Sequence, residues 1–142
     1  MKRTVKLIGT GIMVFLFVGW TSFSSVTGPK GDKKPWNAPA NFKSMKNPVS
    51  SDAASLATGK ELYMKHCKSC HGAKGLGDGP KAAELETSSG DFSLADFQSQ
   101  SDGELFYKTK EGRDDMPSYK KKIAEDQNIW LLVNYMRTFA KK

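Results

Sequence analysis

The chain has 142 residues, 38% of them apolar and 26% charged, with a formal net charge of +7. That length holds one domain with short accessory segments, and the low apolar share implies a thin core that a buried apolar cofactor would thicken. The charge excess lies entirely before Asp52, where eight basic residues face one acid, Asp32; residues 52–142 carry 14 of each sign, which excludes the basic folded domain expected of a nucleic-acid binder.

At the N-terminus, Lys2, Arg3 and Lys6 precede an apolar run from Leu7 to Trp20, and small polar residues follow from Thr21 to Ser25. This order is that of an export signal, with Ser22 and Ser24 satisfying the small-x-small rule for a cut after Ser24. Val5 to Val26 are also just long enough to span a bilayer, which takes about 20 residues. Segment 1–24 is therefore read as an export signal peptide or an N-terminal membrane anchor. In both cases the basic residues hold the N-terminus inside and send the remainder across.

Segment 25–51 is rich in proline and lysine. Between Gly28 and Ser51 lie Pro29, Pro35, Pro39 and Pro48, five lysines and little apolar periodicity. It reads as an extended linker or as a strap over the domain, with Trp36 and Phe42 the residues able to pin it. A mobile tether is an equally good reading.

Segment 52–142 reads as helices separated by glycine-rich loops. The first runs over 53–66, capped by Asp52, with Leu56, Leu62 and Tyr63 as candidate buried positions. The second runs over 103–111. Ser101 and Glu104 have capping-box spacing at its start, and Gly112 stands where a helix would stop. The third runs over 125–139, with Ile129, Leu132, Val133, Met136 and Phe139 or Ala140 on one face, and Ala124 offers it no capping side chain. No stretch alternates as a strand does, so the domain is expected to be all-α.

The chain has two cysteines, too few for a disulfide scaffold, and they lie at the end of the first helix in Cys67-Lys68-Ser69-Cys70-His71. This C-x-x-C-H run reads as a site of covalent haem attachment. Cysteines three apart reach the two vinyl groups on one porphyrin edge, and the adjacent histidine presents its imidazole to the iron. Two rival readings fit less well. A thioredoxin-like dithiol would follow a strand, and no strand is in view. A zinc site made from Cys67, Cys70, His66 and His71 would pack four ligands into six residues, a poor tetrahedron.

With these residues in place the segment 52–142 resembles the class I c-type cytochromes in their small bacterial form. The resemblance rests on Gly59-x-x-Leu62-Tyr63-x-x-x-Cys67-x-x-Cys70-His71-Gly72, Gly75-x-Gly77-Asp78-Gly79-Pro80, Met116-Pro117 and Trp130-x-x-Val133-Asn134-Tyr135-x-Arg137. It implies a bundle of about three main helices around one covalent haem c, bound through Cys67 and Cys70. His71 is the implied proximal iron ligand. For the distal ligand, Met1 and Met13 fall in the leader, Met45 in the linker, Met64 too near the attachment site and Met136 on the buried face of the last helix. Met116, followed by a proline that stiffens its loop, remains. His66 precedes the motif and is expected to point away from the iron, as a surface histidine. Gly59 and Tyr135 match the family's helix crossing. Trp130 and Arg137 either bond haem propionates or pack, and Leu105, Phe106 and Tyr107 either line the haem edge or fill the core.

Histidine and methionine ligation fills both axial positions and raises the reduction potential, which suits electron transfer rather than chemistry on a bound substrate. The expected function is that of an exported single-electron carrier in a bacterial periplasm, soluble or anchored to the outer face of the inner membrane. Its partners are redox proteins, donor and acceptor, with a membrane tether through the N-terminal segment if that segment is retained. Two alternatives stand beside it: a membrane-anchored subunit of a larger respiratory oxidoreductase, and a haem enzyme or gas sensor with an open distal site.

Overall fold

The computed structural model describes residues 35–141, so the expected signal or anchor segment 1–24 lies outside them. Six α-helices follow one another: α1 (Ala40–Lys43), α2 (Ala53–His66), α3 (Lys68–His71), α4 (Ala95–Gln98), α5 (Asp102–Glu111) and α6 (Asp126–Arg137), with a 3-10 turn at Ala82–Glu84. Among the described residues there is no strand, only an isolated bridge between Arg113 and Met116. The all-α expectation holds. No helix among these residues is long and apolar enough to cross a membrane.

Two of the three main helices, α2 and α5, start at side-chain caps. Asp52 accepts a hydrogen bond from the Ser55 N–H at 2.8 Å and so satisfies one of the orphan donors of α2. At α5 the capping box is complete: the Glu104 N–H donates to Ser101 Oγ, and the Ser101 N–H donates to the Glu104 carboxylate at 2.9 Å. Gly112, at φ 69°, ends α5. The start of α6 has no side-chain cap; its Ncap residue is Glu125. The helix closes at Arg137, and Phe139 follows in a turn, packed on the core.

Helices α2 and α6 cross with the most extensive contact in the fold. Gly59 sits at that crossing. A Cβ placed there would stand 2.3 Å from the Leu131 carbonyl oxygen, so only glycine permits this approach. The Gly59–Tyr135 crossing anticipated from sequence is present, with Tyr135 Cβ close above the glycine. Tyr63, Phe106, Ile129, Leu132 and Val133 form the fully buried centre. Helix α6 is buried on more than the predicted stripe: Trp130, Leu131 and Asn134 are covered as well.

Segment 35–51 explains much of that extra burial. The Asn47 amide donates to the Trp130 carbonyl at 3.1 Å and to Asn134 Oδ1 at 2.9 Å. Asn134 in turn donates to the Val49 and Ser50 carbonyls, both at 3.1 Å. Phe42 packs on Phe106 and Tyr107, with ring centroids 6.3 and 4.9 Å away. Of the two readings, strap and mobile tether, these residues follow the strap.

Candidate functional site

The C-x-x-C-H segment is built from the end of α2 and the single turn of α3. Helix α3 ends abruptly, and the glycine loop after it returns to cap its carbonyls. The Gly77, Gly79 and Lys81 N–H groups donate to the carbonyls of His71, Cys70 and Ser69 at 2.9, 3.2 and 2.8 Å. Gly79 makes this possible, because a Cβ there would lie 2.4 Å from the Ser69 oxygen. The buried Tyr63 phenol adds a bond to the Gly72 carbonyl at 2.8 Å. The attachment segment is thus held by backbone bonds on one side and by core helix α2 on the other.

Opposite this segment lies the loop between α5 and α6. Arg113 and Met116 exchange both backbone bonds, at 2.8 and 2.9 Å. The Tyr119 N–H and the Ser118 hydroxyl both reach the Lys110 carbonyl at the end of α5. Between segment and loop opens a cavity of about 770 Å³ whose walls include Cys67, Cys70, His71 and Met116. Phe92, Phe97, Leu105, Tyr119 and Met136 belong to its apolar lining, and Pro35 and Trp36 of the strap line it as well. A smaller pocket of about 10 Å³ adjoins it, and His71 and Met116 again share the wall.

Electrostatics and side-chain grouping distinguish a haem site from a dithiol or a zinc site. Burial pushes the Cys67 thiol up to about 12, with the neighbouring Cys70 adding to the shift. A redox dithiol needs the opposite, an exposed cysteine with a depressed pKa. Among the described residues no group of three or more His, Cys, Asp or Glu side chains is gathered to hold a metal ion, so the four-ligand zinc reading fails. The cavity instead has the size of those that hold a cofactor, roughly 300–1,000 Å³. Its donors, two cysteines, a histidine and a thioether on a mainly apolar wall, suit a porphyrin with a coordinated iron. The site fits that group.

Several site residues fall where sequence reasoning did not put them. Met136 is 5% exposed, as its helix face predicted, yet it also lines the cavity. Helical periodicity showed it buried but not against what. His66 is half-buried and is one of the residues that line the cavity, with the Tyr119 ring edge-on at 5.9 Å. Burial, followed by Lys65 and Lys122, holds its pKa below the usual histidine value. Trp130 stacks on Phe106 at 4.1 Å, and Arg137 is engaged by Asp102 at 2.7 Å and by the Gln98 and Gln100 carbonyls. Both side chains have packing partners, and neither lines the cavity. Of Leu105, Phe106 and Tyr107, only Leu105 does. Phe92, whose ring stands 4.5 Å from that of His71, and Tyr119 were not singled out from sequence, for they lie in irregular segments with no periodic signal.

Comparisons with known proteins agree with this geometry. The family model for cytochrome c matches residues 56–140. Among solved structures, the chain is similar to one in the Kuenenia stuttgartiensis reducing HAO-like protein complex Kustc0457/Kustc0458. The identity is 28% and the TM-score 0.59, over 66% of this chain and 47% of that one, so it spans about half of that relative. It is also similar to the KustC0563 c-type cytochrome, at 30% identity and TM-score 0.51, over 58% of this chain and 98% of the other. A search of curated proteins returned no match.

Proposed function

The chain belongs to the cytochrome c family, and on that premise we propose that it is an exported single-electron carrier whose haem iron is held between His71 and Met116. Membership brings a covalently bound haem c and electron transfer as the function. When bound, that haem supplies an iron that alternates between ferrous and ferric, taking up and releasing one electron. Cys67 and Cys70 are the residues that would hold the haem covalently, each through a thioether.

The observation that carries the reading is that Cys67, Cys70, His71 and Met116 line one cavity, walled by Phe92, Phe97 and Leu105. The backbone bonds from Gly77, Gly79 and Lys81 fix the segment that bears His71. The paired bonds between Arg113 and Met116 shape the loop that offers the thioether. The soft sulfur of Met116 favours the reduced state and raises the potential. With His71 and Met116 both serving as donors, no position would be left for a substrate, which argues for a carrier.

Two finer points belong to the same proposal. Export to a bacterial periplasm follows from the leader pattern of residues 1–24, and the partners are a protein donor and a protein acceptor. The likeness to a chain of a multi-protein complex favours a second reading, a cytochrome subunit working inside a larger oxidoreductase.

Spectra of the ferric protein test the ligation. The haem-loaded wild type is expected to show the weak far-red band of a thioether bound to ferric iron, and Met116→Ala to lose it. If the band survives in Met116→Ala and disappears in Met136→Ala, the sulfur donor is the helix methionine and the assignment to Met116 is wrong.

A further inference from the structure

Tyr119 joins the two halves of the site. Its phenol donates to the carbonyl of His66 at 2.6 Å, across 53 residues of sequence. His66 is the last residue of α2, so its carbonyl is one of those that the helix leaves without an internal partner. Tyr119 is only 7% exposed, lines the cavity and sets its ring edge-on to the His66 imidazole. Its backbone belongs to the loop that bears Met116. That loop is tied to α5 through the Lys110 carbonyl, and both these ties and the Arg113–Met116 pair are local. The phenol–carbonyl bond instead runs from the loop directly to the segment that carries Cys67, Cys70 and His71.

We propose that Tyr119 is a positioning residue for Met116: its bond to the His66 carbonyl holds the methionine loop closed over the attachment segment and sets how readily the thioether gives way to an external ligand. This inference rests on the proposed ligation by Met116. The loop has a closed arrangement, with Met116 presented to the cavity, and an open one that frees the distal side. An external ligand binds only the open form, so its apparent affinity is reduced by the fraction of molecules that are open. Removing one hydrogen bond to this partly buried carbonyl raises that fraction about three- to tenfold. The ring packing, which Tyr119→Phe retains, contributes the same to both proteins.

Imidazole titration of the ferric, haem-loaded full chain tests this, read from the far-red band and the visible spectrum. Tyr119→Phe is expected to bind imidazole about three- to tenfold more tightly than wild type. Tyr135→Phe is the control, since its ring lies 5.4 Å from Tyr63 and 5.1 Å from Phe139, within the α2–α6 crossing; it should bind as wild type does. Met116→Ala, with nothing to displace, should bind more tightly than either. Tyr119→Phe binding within twofold of wild type, while Met116→Ala binds tightly, overturns the role of Tyr119 alone. Equal tightening in Tyr135→Phe overturns it too, because the effect is then a general loosening. Imidazole binding in Met116→Ala as weak as in wild type overturns the ligation itself, and this inference with it.

Discussion

Glu104 shows how one carboxylate can serve both a helix end and a pH response. The Ser101 N–H holds its pKa below the usual 4.5, with Lys43 and Lys108 lowering it further against the opposing effect of burial. The group is therefore more acidic folded than unfolded, so its contribution is complete above pH 4.5 and fades as pH falls through the folded value. Urea midpoints measured below pH 5 should fall less steeply with acid in Glu104→Gln than in the parent; parallel curves would contradict this. That box was readable from Ser101 and Glu104 because a cap is a contiguous signal. Cys67, Cys70 and His71 were readable for the same reason. Met116 emerged from the resemblance to the family and from setting aside the other methionines. That Met136, His66 and Tyr119 line one cavity was not legible, since what they face depends on elements far away in sequence. Trp130 and Arg137 show the converse: residues that match a family pattern are here taken up by Phe106 and by Asp102.

At the scale of elements, the crossing of α2 and α6 carries the fold, and Gly59 is its closest point. In Gly59→Ala the new methyl meets the Leu131 carbonyl at 2.3 Å, against backbone that cannot swing aside as a side chain tip would. Overpacking of this kind costs about 1–3 kcal/mol, so the urea midpoint should fall while the slope of the transition is kept. An unchanged midpoint would mean that the helices separate at no cost. The three long helices were legible from caps and periodicity, and α2 begins and ends at the residues predicted. The single-turn helices α1, α3 and α4 were not, because four residues are too few to display a period. Their positions come from tertiary contact, as with α1, which packs on α5.

Across the whole molecule, a thin core is completed from two directions. Strap residues 35–51 cover α5 and α6 through Phe42, Asn47 and the Asn134 amide, and Trp36 lines the cavity, with the Arg113 guanidinium 4.8 Å from its ring centroid. The second contribution is the cofactor itself, whose cavity brings together residues from α2, α3, α4, α5, α6 and the intervening loops. Composition points to a core short of apolar residues, and Trp36 and Phe42 were legible as the aromatic residues able to pin the strap; the Asn47 and Asn134 bonds were not, because proline and lysine content describes stiffness and charge rather than contacts. Iron K-edge X-ray absorption on the ferric, haem-loaded chain tests the central claim most directly. The account predicts one sulfur scatterer among nitrogens in the wild type and its loss in Met116→Ala; a wild-type shell of nitrogen and oxygen alone would contradict it.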